Sequence, residues 1–263
     1  MSKLRLIEAM GPLAGASVVV TRPAAAALKR QIRALDGSAI GLPGFSLRAT
    51  DDVAAAKAAL QQARAADLIV FASPNAVKFA SALRALRFAR HTRVCAVGAG
   101  TARALTRRGV RDVAFPRERQ DSEGLLALAE LQKLRGKRVA VIGAPGGREL
   151  LARTLRARRA RVTAIHVYRR VAPRYTARQL AALENATAPL LTLLTSAEAL
   201  TNLRAQLPLH LFARLAEGEL IVSSARLAQL ARHSLFANVH VAASPSPRHL
   251  LAAAAQALAR HRL

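Results

Sequence analysis

The chain has no tryptophan, two tyrosines and one cysteine, and its 15 acidic residues stand against 41 lysines and arginines. Each shortage excludes something. A lone Cys95 rules out an internal disulfide and any cysteine-based zinc site, and it fits a reducing compartment. It sits in the apolar run Val94-Cys95-Ala96-Val97, which reads as a buried, inert thiol. Aromatics at 3% leave few stacking platforms for nucleic acid, and the core must be built from Ala, Leu and Val. No apolar run reaches the roughly 18 residues of a membrane span. Lys3 and Arg5 precede Ala14-Gly15-Ala16, which resembles a signal cleavage site, but Glu8, Gly11 and Pro12 interrupt the apolar segment. No signal peptide is expected, and the protein is expected in the cytoplasm.

What is present is length and hydrophobicity enough for two domains: 263 residues, 52% of them hydrophobic. The net charge of +26 raises the local concentration of anions. Nucleic acid, an anionic membrane surface and a polyanionic small molecule all fit that charge. Arginines that merely solvate helix faces fit it too.

Short apolar runs mark strands at Ser17–Thr21, Asp67–Ala72, Arg93–Val97, Lys137–Ile142, Leu190–Leu194 and Leu220–Ser223. Each leads through a small or polar turn into an Ala/Leu/Arg stretch of helical period, such as Leu28, Ile32 and Leu35, or Leu151, Leu155 and Arg158. That alternation predicts right-handed βαβ units and parallel sheets. Helix starts are marked by Ser73-Pro74 and Ser246-Pro247, by the capping-box spacing of Thr176 and Gln179, and by Asp121-Ser122-Glu123.

An internal repeat is visible. Phe71-Ala-Ser73-Pro-Asn75-Ala76 and Leu194-Thr-Ser196-Ala-Glu-Ala199 each end a strand and open a helix. Gly98-Ala-Gly-Thr101 and Val222-Ser-Ser224 follow, with 101 − 73 = 28 and 224 − 196 = 28. Two similar α/β domains are implied. Gly41-Leu-Pro-Gly44-Phe-Ser-Leu-Arg48 and Tyr168-Arg-Arg-Val-Ala-Pro173-Arg-Tyr175 look like connectors that follow strands. If they are paired hinges, the middle of the chain, about residues 46–170, is an inserted domain.

Ligands of open parallel sheets bind beyond the carboxyl ends of the strands. The small polar residues there are Thr21-Arg22, Ser73, Gly98 to Thr101, Thr195-Ser196, Ser223-Ser224 and Ser244 to Ser246. Helix amino termini at those points suit carboxylates or phosphates, although each Ser or Thr also fits simple capping. Gly98-Ala-Gly100 is no dinucleotide fingerprint, since Arg103 stands where a third glycine belongs. Gly143-Ala-Pro-Gly-Gly147-Arg148 lacks the Lys-Ser/Thr of a phosphate loop. Histidines 91, 166, 210, 233, 240, 249 and 261 show no metal spacing, and no metal or other cofactor is expected. His166 and Tyr168 are two apart and are expected on one strand face. Tyr168 sits where a strand meets a connector, where an amphipathic ring packed at a domain edge is the plainer reading.

The ordered series of motifs resembles the uroporphyrinogen-III synthase family. It runs through Val18-Val-Val-Thr-Arg-Pro23, Phe71-Ala-Ser-Pro-Asn-Ala-Val77, Ala96-Val-Gly-Ala-Gly-Thr-Ala102, Ser122-Glu-Gly-Leu-Leu126 and Gly146-Gly-Arg-Glu-Leu-Leu151. It continues through Val167-Tyr-Arg-Arg170, Thr195-Ser-Ala-Glu-Ala-Leu200, Val222-Ser-Ser-Ala-Arg-Leu227 and Ser244-Pro-Ser-Pro247. The resemblance implies two flavodoxin-like α/β parallel-sheet domains joined by a two-stranded linker, with a cleft between them. The domains would be 1–42 with 173–263, and 46–168, with linkers at about 41–48 and 166–174. It implies no cofactor, no nucleic-acid or membrane partner, and a monomer acting on hydroxymethylbilane, whose eight carboxylates suit a basic site. The reaction implied is loss of the terminal hydroxyl as water, attack through the substituted carbon of the last ring, and rearrangement through a spiro intermediate that inverts that ring.

Tyr168 matches the tyrosine thought to assist departure of the hydroxyl, with Arg169 and Arg170 expected to draw the substrate's carboxylates. Thr101 matches a threonine implicated in the family. Arg22, Ser73, Asn75, Gly98, Gly100, Thr195, Ser196, Ser223, Ser224 and Ser246 are expected to line the substrate site. The rival readings are a basic α/β protein that binds nucleic acid and a noncatalytic binder of small anions. Departures from the family pattern lie at Ile142-Gly-Ala-Pro145, where a basic residue is common, and at Gly44-Phe-Ser-Leu-Arg48.

Overall fold

The computed structural model describes residues 11–23, 25–119, 121–146 and 149–261. Lys3, Arg5 and Glu8, read for targeting, lie outside the described residues, as do Gly147 and Arg148 of the glycine-rich motif. The chain forms two compact units. A split domain holds the chain up to Ser46 and from Val171 onward, and an inserted domain runs Leu47–Arg170.

The split domain contains β1 (Ser17–Val20), α1 (Ala26–Ala34) and β2 (Ser38–Gly41). It resumes after the insertion, which begins with β3 (Ser46–Ala49) and α2 (Val53–Ala63). The inserted domain continues through β4 (Leu68–Phe71), α3 (Pro74–Leu83), β5 (Arg93–Ala96), α4 (Ala99–Thr106), β6 (Val113–Ala114) and α5 (Ser122–Leu126). Then come β7 (Arg138–Gly143), α6 (Glu149–Ala157), β8 (Arg161–His166) and β9 (Tyr168–Val171). The split domain finishes with α7 (Ala177–Glu184), β10 (Leu190–Leu194), α8 (Ala197–Gln206), α9 (Leu209–Glu217), β11 (Glu219–Val222), α10 (Ala225–Arg232), β12 (Asn238–Val241) and α11 (Pro247–His261). The chain crosses between the units twice, through β3 and β9, and these pair as a two-stranded sheet.

Each domain has one five-stranded sheet with every pairing parallel: β12-β11-β10-β1-β2 in the split domain and β6-β5-β4-β7-β8 in the inserted one. The inner strands β1, β4, β10 and β11 are buried along their whole length, because helices cover both faces. Alternate residues feed opposite cores. In the split domain Val18, Val20, Leu191, Leu193 and Ile221 pack with α1 and α11, while Val19, Leu190, Leu194, Leu220 and Val222 pack with α7 to α10. In the inserted domain Ile69, Phe71, Ala140 and Ile142 pack with α2, α3 and α4, and Leu68, Val70, Val139 and Val141 pack with α5 and α6.

The edge strands explain what the apolar runs missed. β12 and β6 contain no fully buried residue, so neither carries a continuous apolar stretch. The expected helix starts behave as caps. Ser73 accepts from Ala76 N–H, Asp121 from Glu123 and Gly124 N–H, and Thr176 with Gln179 closes a capping box. Arg158 does more than lend methylenes to the α6 stripe: its guanidinium donates to Leu126 O at 2.7 Å and Leu131 O at 2.6 Å. Cys95 is fully buried, and burial, with Glu130 adding to it, pushes its thiol up to about 12.

One expectation is corrected. His166 and Tyr168 do not share a face, for His166 is exposed at the end of β8 and Tyr168 is buried at the start of β9. The residue between them changes ladders. Val167 donates its N–H to Gly143 O at 3.0 Å and accepts from Thr50 N–H at 3.3 Å.

Candidate active site

In each sheet the strand order reverses at one place. In the split domain β10, β11 and β12 step one way with their helices on one face, and β1 and β2 step the other way with α1 on the opposite face. The reversal lies between β10 and β1. In the inserted domain it lies between β4 and β7. Such a switch point opens a crevice beyond the carboxyl ends of its two strands.

At the first crevice, Arg22 follows β1 and Thr195 follows β10. The Arg22 Nε donates to Thr195 Oγ1 at 3.3 Å, and its terminal nitrogen donates to Pro245 O in the loop before α11. Thr21 donates to Leu193 O at 2.7 Å, so the chain after β1 is tied to β10 just behind Arg22. Among the described residues Arg22 is partnered by a hydroxyl and a carbonyl, with no carboxylate. Partial burial pulls its guanidinium below its ordinary value. A half-buried cation with neutral partners is a natural receiver for an anion. Ser196 caps α8 through Ala199 N–H, Ser224 caps α10 through Leu227 N–H, and Ser246 accepts from His249 N–H at 3.3 Å. Ser223 is half-buried beside Ser224.

At the second crevice Ser73 follows β4, and Gly143 and Ala144 follow β7. The strands run close here: a Cβ on Gly143 would lie 3.3 Å from the Ala72 Cβ. Tyr168 reaches in from β9, and its hydroxyl shares a hydrogen bond of 3.1 Å with Ser73 Oγ. The ring is 6% exposed and stacks on Phe79 of α3, with centroids 5.2 Å apart and planes 19° from parallel. Asn75 is half-buried in the first turn of α3. Gly98 precedes α4 without a side-chain cap, Gly100 is exposed, and Thr101 is 2% exposed at the third position of that helix.

The sites expected from sequence thus divide. Arg22, Thr195 and Ser196 gather at one switch point, and Ser73, Asn75 and Tyr168 at the other. Gly98, Gly100 and Thr101 lie one strand outward, after β5. Ser223 and Ser224 follow β11, and Ser246 follows β12. Arg169 pairs with Asp51 through Nε at 3.0 Å and its terminal nitrogen at 2.8 Å, both side chains exposed. The equal spacing in the repeat joined unlike positions. Ser224 and Gly98 both precede the helix after the equivalent strand, so the matching distances are 98 − 73 = 25 and 224 − 196 = 28. The extra helix α9 lengthens the second copy. Phe79 was missed, because nothing in the sequence connects it to Tyr168. Among the described residues no group of three or more His, Cys, Asp and Glu side chains is placed to hold a metal.

A doubly wound α/β pair with polar side chains gathered at its switch points defines a class, α/β proteins whose ligands bind beyond the carboxyl ends of their strands. Comparison with known proteins narrows the class. The family model described as Uroporphyrinogen-III synthase HemD matches residues 26–252. The uroporphyrinogen-III synthase of Salmonella typhimurium is 34% identical over 236 residues, 86% of this chain and 94% of that one. The Escherichia coli enzyme of the same name is 32% identical over 232 residues, with the same coverage. Among solved structures, uroporphyrinogen-III synthetase from Helicobacter pylori aligns with a TM-score of 0.58 at 16% identity, over 91% of this chain and 98% of that one. A mutant uroporphyrinogen III synthase from Thermus thermophilus aligns at 0.57 and 19% identity, over 93% and 99%. This chain belongs to the uroporphyrinogen-III synthase family, cyclising lyases of haem biosynthesis. The reading as a noncatalytic binder of nucleic acid or anions finds no support in these relatives.

Proposed function

We propose that the chain cyclises hydroxymethylbilane to uroporphyrinogen III. The observation that carries the reading is the family match over residues 26–252, and the two switch-point sites supply chemistry that fits it. The substrate carries eight carboxylates, and Arg22 offers a desolvated guanidinium for one of them. In the reaction the terminal C–O bond breaks, its electron pair leaves with the oxygen, and that oxygen departs as water once protonated. Electron density from the pyrrole nitrogen replaces the lost pair. The last ring then attacks the carbon that lost the oxygen, through its own substituted carbon, to give the spiro intermediate. The older bond from the substituted carbon to its methylene breaks, and the freed methylene bonds the ring's unsubstituted α-carbon, which gives up its proton, so the ring ends inverted.

Tyr168 is assigned to the departing oxygen. A phenol O–H is a hydrogen-bond donor, and the buried ring is held from two sides. Thr101, Ser73 and Asn75 in the inserted domain, and Thr195, Ser196, Ser223, Ser224 and Ser246 in the split domain, are assigned to the polar lining. Gly98 and Gly100 are assigned to backbone contacts. The reading includes a monomer in the cytoplasm, which light scattering after size exclusion and cell fractionation would test.

The test is to supply enzymatically made hydroxymethylbilane and separate the oxidised products by isomer. Type III product is expected. Type I alone, the spontaneous product, would overturn the reading.

A further inference from the structure

The residues around Tyr168 have a job of their own. A phenol that assists a leaving group must present its O–H at one point, and a tyrosine at the first residue of a strand is free to rotate about two side-chain bonds. Here one helix removes both freedoms. Phe79 lies flat against the ring, which fixes its plane. Ser73, at the cap of the same helix, holds the hydroxyl at 3.1 Å. The two contacts are six positions apart, so both grips ride on the rigid first turns of α3.

The Ser73 oxygen is already committed to the helix, because it accepts the Ala76 N–H at 3.0 Å. A hydroxyl has one proton to give. A second lone pair remains on Ser73, so either hydroxyl can donate across the 3.1 Å contact. Where Ser73 donates, the phenol's own proton points away from α3.

We propose that Ser73 and Phe79 are positioning residues for Tyr168, acting on the reaction through the phenol rather than by contact with substrate. This rests on the assignment of Tyr168 above and changes that of Ser73, which is withdrawn from the polar lining. It separates the two residues from Arg22 and the caps of the split domain, which are assigned to the substrate itself.

The experiment is a double-mutant cycle with stereochemical and spectroscopic readouts. Ser73→Gly removes the hydroxyl while glycine caps α3 nearly as well; Ser73→Thr keeps the hydroxyl. Expected is a fall in kcat of about tenfold for Ser73→Gly, with KM unchanged, type III product retained and activity recovered in Ser73→Thr. Phe79→Leu is expected to lower kcat by about two- to tenfold, and Phe79→Tyr to restore it. The chain has no tryptophan and two tyrosines, so its near-ultraviolet circular dichroism reports tyrosine directly. Phe79→Leu is expected to weaken that signal. In a Tyr168→Phe background Ser73→Gly is expected to cost nothing further.

Additive losses, or a raised KM for Ser73→Gly, would mean that Ser73 binds substrate itself and would overturn the proposal while leaving Tyr168 in the mechanism. Unchanged kcat and dichroism in Phe79→Leu would overturn the stacking half. If Tyr168→Phe alone turns over at the wild-type rate, the assignment of Tyr168 falls and the positioning roles fall with it.

Discussion

The split and inserted domains contain the same sheet threaded in two ways. In space β12-β11-β10-β1-β2 corresponds to β6-β5-β4-β7-β8. Along the chain the split domain starts in the middle, at β1, goes to the edge at β2, and resumes at β10. Numbered in its own order it reads 5-4-3-1-2, whereas the inserted domain reads 3-2-1-4-5. Both are doubly wound orders, and one is a circular permutation of the other. The difference shows where a parallel sheet tolerates a cut. Pairing, burial on both faces and right-handed crossovers are satisfied by either order. The insertion occupies the link from β2 to β10, and the inserted domain's own ends lie at the corresponding place.

The comparison extends to chemistry. The switch point of the split domain has a guanidinium held by neutral groups, while that of the inserted domain has a phenol held by a cap and a ring. In the proposed mechanism one grips an anion and the other delivers a hydrogen bond, so substitutions in the two should fail differently. The largest expected effect is in the inserted domain. Tyr168→Phe should lower kcat by about 10²–10⁴-fold, the span of general acid assistance, with normal folding and type III product. Steady-state kinetics with isomer separation checks this, and wild-type turnover would remove the phenol from the mechanism.

In the split domain Arg22→Met keeps the length of the side chain and removes the charge. Since a hydrogen bond to a charged group is worth about 1.5–3 kcal/mol, KM should rise about ten- to hundredfold while kcat changes little. A fall in kcat at constant KM would erase the division of labour between the domains.

A smaller effect concerns stability. Thr192, on β10, buries a hydroxyl that has no partner among the described residues, whereas Thr21 nearby donates its own to Leu193 O. Thr192→Val should therefore raise the urea midpoint, by a gain of about 1 kcal/mol, and Thr21→Val should lower it by a similar amount. Equal destabilisation by both would show that the Thr192 hydroxyl is satisfied in solution.

The smallest effect is in the inserted domain. Asp67 accepts the Arg138 N–H at 2.8 Å. That bond, with Lys137 and Arg138 nearby, holds its carboxyl below the ordinary 3.8. A depressed carboxyl stabilises the fold above its unfolded value, and the contribution is lost as pH falls through the folded one. The carboxylate is partly exposed, so Asp67→Asn should cost little at neutral pH, and the difference should shrink as pH falls below about 4 and vanish below the folded value. A difference that grows on acidification would reverse the sign.

Much of this was legible in the sequence. The inner strands announce themselves as apolar runs because both of their faces are covered. The caps at Ser73, Asp121 and Thr176 follow from local hydrogen bonding that any chain of this sequence would find. Edge strands such as β12 and β6 were not legible, since a half-solvated strand needs no apolar run. The repeat was legible in outline, but its register was lost to the extra helix α9. Among site residues, Arg22, Ser73 and Tyr168 were visible from their places after strands and from the family motifs. Their partners were not. Thr195 lies 173 residues from Arg22 and Ser73 lies 95 from Tyr168, and no local pattern encodes such pairs.

By itself, then, the order of residues determined the elements, their caps, the parallel α/β class and the positive charge, because these depend on neighbours within a few positions or on composition. Tertiary structure decided which strands became neighbours. It thereby decided where the two switch points lie, that Arg169 pairs with Asp51, and that Phe79 presses on Tyr168. Such choices depend on burial and pairing across the whole sheet, where the free energy of one contact is set by surfaces contributed from distant parts of the chain.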